Sequence, residues 1–240
     1  MMPHPESAIS QPGEAIPGEG KRLTPRQVAR RTAVLRTVRQ HLDEHGFDGV
    51  NMRDVARSAG VSPSTLYEVY GSKESLILAA VEQDLRDLAI EEDQCEPGLE
   101  RFVHRLESLA HMFEGSPKAA EALSRLFFAG GKDSPANRVL LDNGIEARRV
   151  VLQEMIAMNQ LRNDFDVEFY SRALISVTWG IALFWLKGMI APGGFRVELI
   201  RSSMSMILPG VTPGAQRRVQ EIIEQCSSTV GRTREGSTSD

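Results

Sequence analysis

Cysteine is scarce in this sequence, which has only Cys95 and Cys226 in 240 residues, placed far apart. This spacing argues against a disulfide-bonded scaffold and against a cysteine-based zinc cluster, and it indicates a reducing compartment. The N-terminal residues are rich in proline, glycine and glutamate but lack an apolar core segment, so no signal peptide is predicted. We therefore expect a cytoplasmic protein.

Alternating strand patterns are absent, and long apolar runs are rare. Apolar residues recur at helical spacing along the chain, which predicts an all-α fold. Residues 173–190 form the one long run, interrupted only by Lys187, two hydroxyl residues and glycines. Its length approaches that needed to span a bilayer. Because it stands alone and lacks a flanking basic cluster, we favour burial within protein and predict no membrane association.

Recognisable catalytic motifs are missing as well. There is no phosphate loop, nucleophile elbow, Cys-x-x-Cys pair or His-Glu-x-x-His sequence. His104, Glu107 and His111 would share one face of a helix and could hold zinc or nickel. Scattered surface histidines beside a glutamate are far commoner, so we predict no metal, no cofactor and no enzymatic activity.

The segment 51–73, NMRDVARSAGVSPSTLYEVYGSK, carries the start and stop signals of two short helices. Asn51 is a cap for the first helix, and Asp54 stands three residues on to complete a reciprocal cap. Gly60 supplies the left-handed residue of the turn that follows.

The second helix of this segment is capped by Ser62 and has Pro63 at its first position. Four apolar residues are spaced to form a small core between the two helices: Ala56, Val61, Leu66 and Val69. The segment is therefore predicted to be a helix-turn-helix, whose second helix enters a DNA major groove. An ordinary helical hairpin with a solvated polar face is the alternative, but the caps, turn and apolar spacing all agree.

Polar side chains on and beside this second helix are the candidate DNA contacts. Thr65 and Tyr67 are expected to contribute to site recognition. Tyr70 and Lys73 are expected to anchor phosphates, since a lysine in a first helical turn opposes the helix dipole unless an anion lies there. The full set of predicted DNA-binding residues is Asn51, Arg53, Ser62, Pro63, Ser64, Thr65, Tyr67, Tyr70 and Lys73.

The net charge of -4 conceals an uneven distribution. Residues 21–73 contain ten basic and five acidic residues, a balance of +5, so the remainder carries -9. This contrast is typical of a basic DNA-binding head on an acidic effector body.

Capping signals divide the chain into four regions. We predict a disordered tail over residues 1–23, a helix-turn-helix DNA-binding domain over 24–75, an effector-binding and dimerisation domain over 76–226, and a flexible tail over 227–240. The helices are predicted over about 24–45, 52–59, 63–69, 73–92, 98–114, 116–130, 134–162 with a possible break at Asn143-Gly144, 166–191 and 195–208, followed by a short last helix from 212.

Several short motifs recur at specific spacing over residues 31–76: Gly46-Phe47, Val55-Ala56, Ala59-Gly60-Val61-Ser62, Leu66-Tyr67, Tyr70 and Ser72-Lys73-Glu74. With these residues the run resembles the head of the tetracycline-repressor (TetR) family of transcriptional regulators. Ser64 departs from the family pattern, where glycine is common, which suggests an altered base preference. Tyr70 replaces a customary phenylalanine, a core-compatible change that leaves the function intact.

The resemblance implies a homodimer that binds a pseudo-palindromic operator and represses transcription until a small molecule binds the body. In the family the last two major helices form a four-helix bundle with their mates, which here suggests residues 167–190 and 195–208. Both segments are unusually apolar, and burial within one monomer is the alternative.

Bulky apolar side chains in the body could surround a lipophilic or aromatic effector. Such residues at helical spacing are more often plain core. The candidates are Met112, Phe113, Phe127, Phe128, Met155, Trp179 and Trp185. Two rival functions remain: a constitutive or architectural DNA-binding protein without an effector, and a helical lipid-binding protein or enzyme in which the helix-turn-helix is incidental.

Overall fold

The computed structural model describes the backbone of residues 24–235 and the side chains of residues 24–226. Its order is α1 (Pro25–Gly49), α2 (Met52–Ser58), α3 (Pro63–Tyr70), α4 (Lys73–Glu92), α5 (Leu99–Gly115), α6 (Pro117–Ala129), a π-helical turn (Asn137–Asp142), α7 (Asn143–Ala157), α8 (Val167–Leu186), α9 (Gly194–Ile207), a 3-10 turn (Leu208–Gly210) and α10 (Pro213–Glu235). The predicted all-α fold is confirmed. The predicted tail over 1–23 lies outside the described residues.

Local capping explains where several helices begin. The Thr24 hydroxyl accepts a hydrogen bond from the backbone N–H of Gln27, whose side chain accepts one from Thr24, and this completes the capping box of α1. Gly46 has a φ of 68° and interrupts α1 at the predicted position, before a last turn that ends at Gly49. Ser116 and Asp166 cap α6 and α8 with their side chains.

Three boundaries differ from the sequence prediction. Helix α8 ends at Leu186 rather than near 191, and Gly188 follows with a positive φ of 71°. Helix α7 ends at Ala157 rather than near 162, because Asn159 adopts a positive φ of 56° and Leu161 then pairs with Val211 in an isolated bridge. The last helix is long rather than short, and α10 continues to Glu235, well into the segment predicted to be a tail. The predicted break near Asn143 coincides with the end of the π-helical turn.

The head and the body have separate apolar cores that meet at α6. Helices α1 to α4 enclose the head core, in which Val38, Val55 and Leu76 are fully buried. Ala122 of α6 is 1% exposed and belongs to this head core, whereas Leu123 beside it packs into the body core. Helix α6 therefore touches both cores and can transmit a displacement between them.

The apolar segments predicted for self-association differ in exposure. Helix α9 packs against α5, α8 and α10, and Met204 and Ile207 are fully buried within the chain. These two side chains are therefore covered within the single chain, whereas Met206 and Leu208 are only partly buried, and dimerisation through residues 195–208 stays a prediction. Helix α8 is the one described helix long and apolar enough to cross a membrane by length and composition. It packs against α7 and α9 but leaves Phe169 and Phe184 about half exposed.

Candidate functional site

The turn between α2 and α3 is a Schellman motif centred on Gly60. The Val61 N–H donates to the carbonyl of Ala56 at 2.9 Å, and the Gly60 N–H donates to that of Arg57 at 3.2 Å. Gly60 has a φ of 66°, as predicted. Ala56 is fully buried where the two helices meet, so this turn fixes the angle at which α3 leaves α2.

A hydroxyl cluster holds the N-terminus of α3. The Ser62 Oγ accepts a hydrogen bond from the Thr65 N–H at 3.1 Å and lies 2.7 Å from the Thr65 Oγ1 and 2.8 Å from the Ser64 Oγ. Pro63 follows the cap and is exposed. These contacts order three predicted DNA-binding hydroxyls at one helix end, where backbone N–H groups favour a phosphate oxygen.

The outer face of α3 is exposed above a buried anchor. Leu66 is 1% exposed and belongs to the head core, while Tyr67 beside it is 51% exposed. Val69, predicted as core, is instead 38% exposed, because it lies on the side of α3 that faces a cavity. The helix thus offers Tyr67 and the hydroxyl cluster to a partner.

Helix α2 is capped differently from the prediction. The Asn51 side chain accepts a hydrogen bond from the Arg53 N–H at 2.8 Å, but Asp54 does not complete a reciprocal cap. The Asp54 carboxylate instead accepts a hydrogen bond from Arg57 at 2.8 Å, one helical turn away. Arg53 is exposed at the start of α2 and remains a candidate phosphate contact.

Lys73 is held in place by a residue that the sequence analysis did not select. Its ammonium donates to the carbonyl of Phe47 at 3.0 Å and lies 4.3 Å from the centroid of the Phe47 ring. The Arg125 guanidinium lies over the same ring at 4.9 Å. The Gly46-Phe47 pair, one of the motifs of the family resemblance, is the sequence feature that could have indicated this contact.

A cavity of about 560 Å³ lies between α1, α3, α4 and the π-helical turn. It brings together Thr65 and Tyr70, two predicted DNA contacts. Burial raises the pKa of the Tyr70 phenol, and the nearby Arg31 partly offsets this. The arginines that line the cavity are Arg30, Arg31, Arg86 and Arg138. Tyr70 is therefore half-buried on the cavity side of α3 and does not share the exposed face that carries Tyr67.

Polar contacts join the head to the body along α1 and α6. Arg125 of α6 pairs with both carboxylate oxygens of Asp48 at 2.9 and 3.1 Å. The Lys118 ammonium donates to the carbonyl of Glu44 at 2.6 Å, and the Ser116 hydroxyl donates to Asp43. A movement of α6 would therefore pull on the end of α1.

The predicted effector-binding residues fall into three groups by burial. Phe113, Met155 and Trp179 are buried in the body core; Met112, Phe127 and Trp185 pack against it, and Phe128 is 55% exposed. Five of them form one aromatic cluster with Phe195, which the sequence analysis did not select: Phe127 stacks on Trp179 at 4.2 Å, Phe113 on Phe195 at 5.1 Å, and Trp185 lies 5.4 Å from Phe195. Helices α5, α6, α8 and α9 supply these rings.

The three candidate metal ligands do not converge. Glu107 forms an ion pair with Arg196, and the His104 ring lies 3.4 Å from the Ser108 hydroxyl. Across residues 24–226, no group of three His, Cys, Asp or Glu side chains is placed to hold a metal ion. Cys95 and Cys226 are free thiols.

Comparison with known proteins points to one class of regulator. A family model described as bacterial regulatory proteins of the TetR family matches residues 34–80, which cover most of the head. The transcriptional regulator UidR of Escherichia coli strain K12 is 28% identical over 162 residues, which is 63% of this chain and 79% of UidR. The transcriptional repressor KstR2 of Mycolicibacterium smegmatis is 24% identical over 208 residues, which is 79% of this chain and 94% of KstR2.

A solved structure extends the likeness to the body. The TetR-family repressor FadR of Thermus thermophilus, in complex with lauroyl-CoA, has a TM-score of 0.58 and 21% identity. The match covers 74% of this chain and 93% of FadR, which shows a common fold. Together with the helix-turn-helix geometry, the family match shows that residues 34–80 form a DNA-binding head of the TetR type, and that the chain is a DNA-binding transcriptional regulator similar to TetR-family proteins.

Proposed function

We propose that the protein is a cytoplasmic homodimeric repressor that binds a pseudo-palindromic operator through α3 and releases it when a small molecule binds the body. The observation that carries the proposal is the contrast along α3, where Leu66 is 1% exposed and Tyr67 is 51% exposed. This contrast anchors the helix in the head and leaves a flat polar side chain free to enter a major groove.

Two copies of α3 are needed for a useful operator. One short helix covers only a few base pairs, whereas two copies about 34–36 Å apart read two half-sites one DNA turn apart. Helix α8 provides a surface for pairing, with Phe169, Leu183 and Phe184 exposed between 36% and 53%. In a dimer whose two-fold axis passes across α8, these side chains of both subunits would be buried in the interface.

A lipophilic or aromatic effector fits the aromatic cluster of the body. The rings of Phe113, Phe127 and Trp179 form an apolar cluster that reaches the half-exposed Phe128. KstR2 is named a repressor, which supports repression, and FadR is a repressor seen with lauroyl-CoA, whose acyl chain supports a lipophilic effector. The supporting helices α4 and α6 also contact the head, so a ligand that favours one packing of the body can shift the two heads.

The test is selection of bound duplexes from a random library at moderate salt, with the full chain. We expect one inverted repeat with a fixed half-site spacing of about one helical turn. Recovery of diffuse or A·T-rich sequences would instead identify an architectural DNA-binding protein. For the effector, binding of a ligand should be measured with and without the selected operator, because linkage requires that ligand and operator weaken each other's binding by the same factor. Equal ligand affinities in the two states would contradict ligand-controlled release.

A further inference from the structure

Three charged side chains are buried together in the body. Glu92 ends α4, Arg105 lies in α5 and Arg148 lies in α7, and they are exposed by 3%, 8% and 2%. Glu92 and Arg105 form a close ion pair. The group therefore holds two guanidinium groups and one carboxylate, which leaves one positive charge in the core.

Arg148 carries the unmatched charge. Its guanidinium donates to the Gly144 carbonyl at 3.0 Å and to the Thr178 hydroxyl at 2.8 Å, and both acceptors are neutral. Over the described residues no carboxylate forms an ion pair with it, and the nearby Arg101 is already paired with Glu154. Burial, followed by repulsion from Arg105, lowers the pKa of Arg148 to about 9.

Several polar atoms of this group lack partners. The Nε atoms of Arg105 and Arg148 and one carboxylate oxygen of Glu92 are buried without a hydrogen bond. An unpaired buried charge is costly, and most buried polar atoms in proteins are satisfied. A guanidinium presents a planar fork that matches a carboxylate in a bidentate geometry, so the missing partner has a defined chemistry.

The surroundings of Arg148 define the rest of the ligand. Thr178 is followed in α8 by Trp179, whose ring stacks on Phe127 at 4.2 Å, so one helix supplies consecutive residues to the guanidinium and to the aromatic cluster. Gly144 allows this close packing, since a Cβ there would lie 2.7 Å from the Ile175 side chain and 3.6 Å from the Arg148 Nη1. A ligand that contacted both would need an anionic group at one end and an apolar group at the other.

We propose that the effector is an amphipathic organic acid whose carboxylate pairs with Arg148 and shares Arg105 with Glu92, while its apolar part enters the aromatic cluster. A monocarboxylate would balance the group at two positive and two negative charges. The inference rests on the proposed ligand-controlled function and names its ligand class.

The position of Glu92 connects this site to the DNA-binding head. Glu92 is the last residue of α4, and the first, Lys73, follows the recognition helix after two residues. A ligand carboxylate beside Arg105 repels Glu92 and weakens the ion pair that holds this end of α4. The acid therefore releases the end of the helix that joins head and body, which changes the spacing of the two recognition helices.

The first experiment measures binding of matched acids and alcohols to the full-length wild-type protein. The probes are octanoate, dodecanoate and phenylacetate, each compared with the alcohol of the same carbon skeleton, by thermal shift and calorimetry. We expect at least one acid to bind about tenfold more tightly than its alcohol, as a charge-assisted pair provides. Absence of any acid preference across the three pairs overturns the proposal.

Variants then locate the preference. Arg148→Gln should bring the acid and its alcohol to equal affinity, whereas Arg149→Gln should keep the preference, because the Arg149 guanidinium already pairs with Glu168 at 2.7 Å. If Arg148→Gln does not fold, Arg148→Lys keeps the charge without the fork and should keep only part of the preference. Glu92→Gln should tighten acid binding, a gain that a purely structural ion pair would not produce. An unchanged preference in a folded Arg148 variant overturns the proposal.

Operator release separates this inference from the proposed function. If an acid binds through Arg148 but leaves operator affinity unchanged, the acid site stands and ligand-controlled release fails. If an alcohol releases the operator as well as its acid does, ligand control stands and the acid site fails.

Discussion

The ammonium of Lys73 donates a hydrogen bond to the Phe47 carbonyl at 3.0 Å while lying over the Phe47 ring. The contact ties the start of α4 to the end of α1, directly beside the recognition helix. One of the three donors of the ammonium is used in this way, and the other two are available to a phosphate oxygen. The lysine can therefore position the head and bind the DNA backbone at once.

Lys73→Met should weaken binding to all DNA sequences alike and reduce the slope of log affinity against log salt by about one, because one phosphate contact is lost. Methionine keeps much of the apolar stem over Phe47, so the fold should persist. The measurement is a salt titration of affinity for operator and for random duplex. Lys118→Met is the matched control, since that lysine also donates to a carbonyl of α1, at 2.6 Å from Glu44. A reduced discrimination with an unchanged slope would contradict a phosphate role.

Tyr67→Ala should relax sequence preference at one base position of each half-site by about 1–3 kcal/mol, with no change in salt slope. The side chain is half exposed on the outer face of α3, where it makes no contribution to the head core. The measurement is competition binding between the selected operator and its single-base variants. Tyr67→Phe tests the hydroxyl alone. Uniform weakening across all base variants would assign Tyr67 to the backbone instead.

Sequence reasoning succeeded where the determinants were local. The Thr24 capping box, the Gly60 turn and the Ser62 cap each depend on residues within five positions of one another, and the structure forms all three. Sequence reasoning failed where contacts between distant parts of the chain determine the structure. Met204 is covered by neighbouring helices that no local pattern reveals, and α10 is amphipathic although its end resembles a polar tail.

The candidate effector site shows the same division. Five of the aromatic residues predicted to bind an effector cluster around Trp179, and Phe195 joins them from a segment predicted for dimerisation; effector binding by this cluster stays a prediction. Arg105 and Arg148 look like ordinary surface arginines in sequence, since arginine is usually exposed. Their burial depends on the packing of four helices, and Thr178, a partner of Arg148, lies 30 positions away.

Gly60→Ala should lower the free energy of unfolding by about 1 kcal/mol, because the residue has a φ of 66° that alanine adopts only with strain. An added Cβ meets nothing within 4 Å, so the loss reports the backbone alone. The measurement is urea denaturation. Gly115→Ala adds a Cβ that is equally free of contacts at the end of α5, where no positive φ occurs, and should cause no loss. Equal effects of the two substitutions would contradict the backbone explanation.

Asp84 should make stability fall as the pH rises from about 4 to 6. Burial raises the pKa of this carboxyl from 3.8 to about 6, and attraction and hydrogen bonding from Arg39 offset the increase only in part. Nearby Asp87 and Asp43 add repulsion. Because the folded state keeps its proton in this window while the unfolded chain releases it, folding binds a proton, and stability decreases with rising pH.

Denaturation of Asp84→Asn over the same range tests the contribution of Asp84. The asparagine variant lacks the titration, so wild type should lose more stability than the variant between these two pH values. Asp87→Asn is a matched control on the same helix and should retain most of the wild-type slope. Parallel profiles for wild type and Asp84→Asn would show that another group controls the pH dependence.

The proposed dimer interface on α8 predicts that Phe184→Glu raises the dissociation constant of the dimer about a hundredfold or more. Phe184 is 51% exposed in the single chain, and a two-fold interface would bury the introduced carboxylate twice without a partner. The measurement is sedimentation velocity over a range of concentrations. Ile90→Glu introduces the same charge at a 63% exposed position on α4 and should leave the association unchanged. Because operator binding needs both heads, Phe184→Glu should also lose the inverted-repeat preference while its monomer keeps weak affinity for single half-sites. A variant that remains dimeric would place the interface away from α8.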